Sequence, residues 1–309
     1  MLSDLRTATA LLVAGALATA HPAAAQSRRD SILVTPQALA AQLNDPKLVV
    51  LHVGQRAAYD SVHIAGARFV ELRTISVVDL SVPGGLVLQL PGADSLRTIL
   101  EQLGISDDSK IVVAHGTGSV SQATRVVFTL DYAGIGARTA LLDGGVAAWI
   151  RAGLPTTGVA AAPARGRLAP LATSASSVVS AEWVRDSISR PGIRLIDARA
   201  SGFYDGAQDG GPQGATRRGH IPGAVNIPFT SLTNQRGELL PPAQLSERFS
   251  AAGVNAGDTV IAYCHIGQQA TVVVFAARSL GINVRLFDGS FEEWARRGWP
   301  VALPSPNGR

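Results

Sequence analysis

The sequence predicts an α/β protein built from two tandem copies of one unit, each a largely parallel sheet with helices on both faces. Three observations carry that reading. The chain has 309 residues with 46% hydrophobic content, more than one ordinary domain requires. Short apolar β-prone runs alternate with helix-like stretches, the pattern of a parallel sheet with crossover helices. The same punctuation also occurs twice, in the same order.

The first copy opens on LVVLHVGQRAAYD from Leu48 and the second on IRLIDARASGFYD from Ile193. Each reads as a buried strand and a loop, closing on Tyr59-Asp60 and Tyr204-Asp205. His63-Ile64-Ala65-Gly66-Ala67 then matches His220-Ile221-Pro222-Gly223-Ala224. Short helices are expected over Leu96 to Leu103 and Leu245 to Ala252, stopped by Gly104 and Gly253. The strand Ile111 to Ala114 pairs with Val260 to Tyr263, and LLDGGVAAWIRAGLP from Leu141 with LFDGSFEEWARRGWP from Leu286. Ser290 followed by Glu293 predicts a capping box at the last helix, which Gly298 and Pro300 end.

Outside the copies the chain changes character. Residues 1–25 carry Arg6, an apolar run from Ala8 to Ala18 and Ala23-Ala24-Ala25, which predicts a bacterial Sec-type signal peptide cleaved after Ala25. The run is short for a bilayer span and His21-Pro22 interrupts it, so a retained anchor is the weaker alternative. The expected destination is the periplasm or the exterior, with membrane contact only through that peptide. The units are expected at 26–157 and 178–303, joined by an extended linker at 158–177 and followed by a tail at 304–309. A net charge of +4, with basic residues scattered and aromatics at 5%, gives no basic stripe and no case for nucleic acid. A monomer is expected. His and Cys spacing suggests no metal site, and no organic cofactor is indicated.

The stretch Thr259 to Leu280 organises the rest. A strand to Tyr263 leads to Cys264, the single cysteine of the chain, then His265-Ile266-Gly267-Gln268-Gln269, then a helix ending at Gly281. A thiol between a strand end and a helix N-terminus suits thiolate chemistry, because the helix end and curled backbone amides favour negative charge. Taken locally, a small buried hydrophobe explains a lone cysteine equally well. Aligning the copies shifts the balance. His115 falls opposite Cys264, and the loop Gly116 to Gln122 is two residues longer before the shared Ala-Thr, so only the second copy carries a nucleophile. Arg199, in Asp197-Ala198-Arg199, falls opposite Gly54 and suits bidentate recognition of an oxyanion. The plainer alternative is a surface arginine laying its stem on apolar wall. Asp197 is expected to hold its loop, and His220, His115 and His52 to be structural histidines bonded at turns.

These residues together resemble the tandem-domain rhodaneses, the thiosulfate and 3-mercaptopyruvate sulfurtransferases. The likeness runs from Thr35 to Val301 and rests on Asp197-Ala198-Arg199, Gly219-His220-Ile221-Pro222-Gly223-Ala224, the Cys264 loop, and Asp288-Gly289 with Trp294. It implies two rhodanese-like domains, a non-catalytic one at 26–157 packed against a catalytic one at 178–303. It further implies a loop, Cys264 to Gln269, whose amides cradle the cysteine sulfur, with Arg199 holding the substrate anion. Substrate contacts are accordingly expected from Arg199, His265, Ile266, Gly267, Gln268 and Gln269. His265 and Ile266 depart from the pattern, since thiosulfate-preferring members carry basic residues there and mercaptopyruvate-preferring members small ones. Donor choice stays open on that ground.

The expected chemistry is transfer of a sulfane sulfur from a small anionic donor, thiosulfate or 3-mercaptopyruvate, to a thiol or cyanide through a Cys264 persulfide. A cationic His265 would raise the thiolate fraction; the alternative has it facing solvent. Gly267 is expected to let the backbone approach the sulfur. The main alternative function is an exported, non-enzymatic persulfide carrier or redox-sensing module. A cysteine phosphatase fits poorly, because Ala270 stands where its loop needs an arginine. A Cys-His hydrolase would need a base placed by the fold rather than by adjacency in sequence.

Overall fold

The computed structural model describes residues 22–81, 85–116, 118, 120–209 and 217–303. The predicted signal segment, apart from its last few residues, and the tail at 304–309 lie outside them. Among the described residues no helix is long and apolar enough to cross a membrane.

Two five-stranded sheets share one topology. The first orders its strands β1 (Leu33–Val34), β5 (Thr139–Leu142), β4 (Lys110–His115), β2 (Leu48–Val53), β3 (Arg68–Val70). The second repeats the order with β6 (Val178–Val179), β10 (Asn283–Phe287), β9 (Thr259–Tyr263), β7 (Ile193–Asp197), β8 (Val225–Asn226). Every pairing in both sheets is parallel. The strands are mostly apolar because helices cover both faces, as parallel sheets require. Register fixes the equivalence of the copies. Leu48 pairs with Lys110 and Ile193 with Thr259, so His115 and Cys264 take the same place after their strands.

The shared motifs are explained by packing. Tyr59 stacks on His63 at 3.9 Å and Tyr204 on His220 at 3.8 Å between ring centres. Each histidine Nδ1 meets its tyrosine's carbonyl oxygen, and each tyrosine hydroxyl donates to the carbonyl of Ala67 or Ala224. Trp149 and Trp294 are buried, and their indole N–H groups donate to the carbonyls of Pro155 and Pro300. These bonds pair the polar atoms of the tyrosine and tryptophan rings that help fill each core.

The helices relevant to the site are α1 (Pro22–Ile32), α2 (Ala93–Gln102), α3 (Val120–Tyr132), α4 (Gly145–Arg151), α5 (Pro242–Ala251), α6 (Ala270–Ser279) and α7 (Ser290–Arg296). Helices α3 and α6 are almost wholly buried and pack against each other, merging one face of each sheet into a single core. Equivalent residues meet there: Thr124 and Thr271 share a hydroxyl hydrogen bond of 2.8 Å, as at an approximate two-fold axis. The segment ahead of α2 reaches across, with Leu90 N–H donating to Asp288, and the segment ahead of α5 returns the exchange from Leu239 to Asp143.

The linker is extended but docked on the first unit. Leu168 is 4% exposed, and the N–H groups of Gly166, Leu168 and Ala169 donate to Glu101 and Asp107. Its composition hides this, because a single apolar anchor among Ala, Pro and Gly leaves no periodic signal.

Candidate active site

Cys264 follows β9 at the carboxyl end of the second sheet, where parallel sheets place their ligand sites. Its side chain is fully buried, and the backbone N–H groups of Ala270, Ile266, Gln269 and Gly267 are directed at the sulfur. Burial pushes the thiol pKa up and the amides pull it down, with burial prevailing. The expected lowering is therefore reversed in the closed loop, because water no longer solvates the anion.

The loop holds its curl through Gly267, at φ +79°. A Cβ there would stand 2.6 Å from the Asp288 carbonyl oxygen and 2.8 Å from its carboxylate, so only glycine fits. The carbonyls of Cys264 and His265 accept the N–H groups of Phe291 and Glu292 and so cap α7. The predicted capping box does not form. Ser290 has φ +54°, its hydroxyl donates to the Phe287 carbonyl and accepts the Cys264 N–H at 3.2 Å, while the Glu293 carboxylate pairs with Arg297. The loop carbonyls already satisfy the helix end, which frees the serine to brace the nucleophile's backbone.

The remaining loop residues divide. His265 is 6% exposed and packs edge-on against Phe203 at 4.6 Å. Burial, and then the charge of Arg199, lower its pKa to about 4, so it is neutral at pH 7. That overturns both expectations for it, the cation aiding the thiolate and the ring facing solvent. Gln268 donates to Ser121 of the first unit at 2.9 Å. The Gln269 side-chain oxygen is buried without a partner. Ile266 directs its amide at the sulfur, and its side chain lines a cavity of about 340 Å³ whose other walls come from the first unit.

Arg199 is not a surface arginine, since it is 1% exposed. Its Nε and Nη2 bond the Asp197 carboxylate at 2.6–3.1 Å, Nη2 also donates to the Gly219 carbonyl at 2.8 Å, and the guanidinium lies 4.0 Å from the Phe291 ring centre. Burial opposes its charge, yet the Asp197 bonds outweigh that and raise its pKa, with the nearby Cys264 contributing. Asp197 also accepts the Arg199 backbone N–H, so it holds this turn.

The least legible participant lies in the other unit. Arg125, on α3, donates from Nη1 to the Gly267 carbonyl at 3.2 Å and to Asp288 at 2.5 Å, and from Nη2 to the Leu88 carbonyl. In the second copy Val272 occupies the matching place. A charge directly ahead of the apolar run Val126-Val127-Phe128 was the available signal, since buried arginines are paired ones. Asp288, of the Asp288-Gly289 motif, is its partner. In the first unit Arg29 of α1 plays the corresponding part, bonding the carbonyls of Leu239 and Leu240 and pairing with Asp143.

His52 and His115 occupy the counterpart of the site in the first unit; His115 is bonded at its turn, Nδ1 meeting the Gly116 carbonyl oxygen at 3.3 Å, whereas His52 is not. Both ring nitrogens of His52 and Nε2 of His115 are buried without partners. Burial first, then His63 and His115, lower the His52 pKa to about 4. Substitution of Asp197 by His52 and of Arg199 by Gly54 removes the ion pair that fills this space in the second unit. Among the described residues no group of three or more His, Cys, Asp or Glu could hold a metal ion.

Comparison with known proteins agrees with this geometry. The family model for the rhodanese-like domain matches twice, at residues 35–152 and 180–297. A Pseudomonas aeruginosa protein described as a probable 3-mercaptopyruvate sulfurtransferase is 35% identical over 277 residues, 85% of this chain and 94% of its own. A thiosulfate sulfurtransferase of Azotobacter vinelandii is 27% identical over 274 residues, 88% of this chain and 97% of its own. The crystal structure of SseA from Escherichia coli, described among 3-mercaptopyruvate sulfotransferases, superposes with a TM-score of 0.74 at 28% identity, covering 84% of this chain and 99% of that one.

Proposed function

This chain belongs to the rhodanese family, whose curated relatives are sulfurtransferases, and from that membership we propose that it moves a sulfane sulfur through a persulfide on Cys264. The observation that carries the reading is one sulfur inside a ring of backbone amides, in the copy whose twin has no thiol.

In the first half-reaction the Cys264 thiolate attacks the outer sulfur of the donor. A new S–S bond forms at Cys264, and the donor's S–S or C–S bond breaks. Its electron pair leaves on sulfite from thiosulfate, or on the enolate of pyruvate from 3-mercaptopyruvate. The amides of Ile266, Gly267, Gln269 and Ala270 stabilise the charge on the cysteine sulfur before attack and on the persulfide afterwards. Arg199 adds positive charge beneath the site, and its Nη1, which makes no hydrogen bond to the described residues, is the atom available to a donor oxygen. In the second half-reaction cyanide or a thiol takes the outer sulfur and the thiolate returns.

The first unit serves as a non-catalytic partner that shapes the cleft, and the protein acts as a monomer. Export after removal of residues 1–25 fits the same reading, because cleavage there leaves Arg29 and its bonds to Leu239 and Leu240 in the mature chain.

The test is intact mass after incubation with thiosulfate or 3-mercaptopyruvate, followed by discharge with cyanide. The wild type should gain one sulfur atom and lose it as thiocyanate, and Cys264→Ser should do neither. Equal sulfur uptake by Cys264→Ser, or none by the wild type, removes the proposal.

A further inference from the structure

The cavity that Ile266 of the thiol loop shares with the first unit has unusual walls for a site that must receive an anion. Ile266 supplies one side from the loop itself. Val77, Val78, Val87 and Leu88 supply the rest from the hairpin of the first unit that pairs Val77–Asp79 with Leu86–Gln89, and Ser76 adds a hydroxyl. Among its described lining residues Arg73 is the one charged side chain. It sits on the turn Leu72–Ile75 with its side chain 86% exposed. It makes one loose, solvent-exposed ion pair with Glu71 at 3.9 Å, beyond hydrogen-bond reach, so little is lost when a ligand anion replaces that partner. The same side chain borders a smaller recess of about 190 Å³ that also reaches Gln55 and Gln122.

Arg199 presents the opposite case. It is 1% exposed, and two of its three nitrogens are tied to Asp197 and Gly219. The residue best placed by motif to bind an anion is largely occupied, whereas a mostly exposed cation from the other unit shares a cavity with Ile266 of the thiol loop.

We propose that Arg73 of the first domain recognises the anionic group of the sulfur donor and sets donor preference toward a carboxylate carried on a carbon skeleton. The inference rests on the persulfide reading above. A carboxylate pairs with one guanidinium in a bidentate fork, and its carbon body covers the valine and leucine walls. Inorganic thiosulfate has no carbon body to cover those walls. Placing the anion at Arg73 and the sulfur at the loop spans the cavity from the first unit to the second. Donor specificity then belongs to the pair of domains rather than to the loop residues alone.

The experiment compares steady-state kinetics of wild type, Arg73→Ala, Arg73→Lys and Arg73→Glu, with 3-mercaptopyruvate and thiosulfate as alternative donors and one fixed acceptor. The wild type should prefer 3-mercaptopyruvate in kcat/KM. Loss of a charge-assisted pair in Arg73→Ala should raise the KM for 3-mercaptopyruvate about tenfold or more with kcat little changed. Arg73→Glu should be worse and Arg73→Lys intermediate. Because Arg73 is exposed, thermal melts should be unchanged. An unaltered KM in Arg73→Ala, or a fall in kcat alone, overturns the assignment while sulfur uptake by Cys264 still stands. A wild-type preference for thiosulfate overturns the donor class. Failure of the wild type to take sulfur from either donor removes the persulfide reading, and this inference with it.

Discussion

Arg125 of the first domain donates to the carbonyl of Gly267 in the thiol loop of the second, at 3.2 Å, across an interface in which both side chain and loop are buried. The same guanidinium pairs with Asp288, whose carboxylate takes the Leu90 N–H. The loop's peptide planes are therefore set from outside its own domain. With the Gly267 carbonyl held toward Arg125, amides on the other side of the curl face the sulfur. A unit without a nucleophile is in this way a structural part of the active site.

Arg125→Met should thus cost both stability and rate. Breaking a buried pair and leaving one partner charged is expected to destabilise by about 3–5 kcal/mol. Urea unfolding reads the first effect, and the rate of sulfur uptake by mass the second. Pairing the change with Asp288→Leu should recover stability but not rate, because the loop carbonyl stays unheld. Recovery of both would show that Arg125 acts on stability alone.

Ser290 holds a positive φ that its counterpart Gly145 adopts freely, at +54° and +58°. The two bonds of its hydroxyl, to Phe287 and from Cys264, offset that strain. Ser290→Ala keeps the strain and loses the bonds, whereas Ser290→Gly loses the bonds and relieves the strain. The glycine variant should be the more stable by about 1 kcal/mol in denaturant midpoints. The reverse order would contradict this account of the residue.

Cys264 is fully buried beneath a loop whose Ile266 is 9% exposed. Ile266→Ala should accelerate alkylation of Cys264 by iodoacetamide. In the wild type the rate should keep rising with pH beyond the ordinary thiol range, since burial raises the pKa. A rate already at its plateau at neutral pH would mean that the amides prevail over burial.

Stability should fall in mild acid. His52 and His265 are lowered from 6.5 to about 4, so below pH 6.5 the unfolded chain binds protons that the folded chain refuses. Their cost is absent above pH 6.5 and grows as pH falls toward 4, reaching about 3 kcal/mol for each. Urea midpoints at pH 7.5 and 5 measure it, and His52→Leu should lose less between the two than wild type does. An equal loss in both would remove His52 from the cause.

Sequence alone determined the duplication, the α/β class, the strand and helix pair around Cys264 and the family. Those features are local: apolar periodicity, glycine stops and repeated motifs are written in consecutive residues. Tertiary structure decided what surrounds the sulfur. Local sequence offered Ser290 as a helix cap and His265 as a cation, and each took another role once neighbours from elsewhere in the chain closed over it. Arg125 and Asp288 are 163 residues apart, and Arg73 and Ile266 line one cavity only because the two units come together. No local pattern encodes such pairs, because burial and partner choice depend on which surfaces the two units bring together.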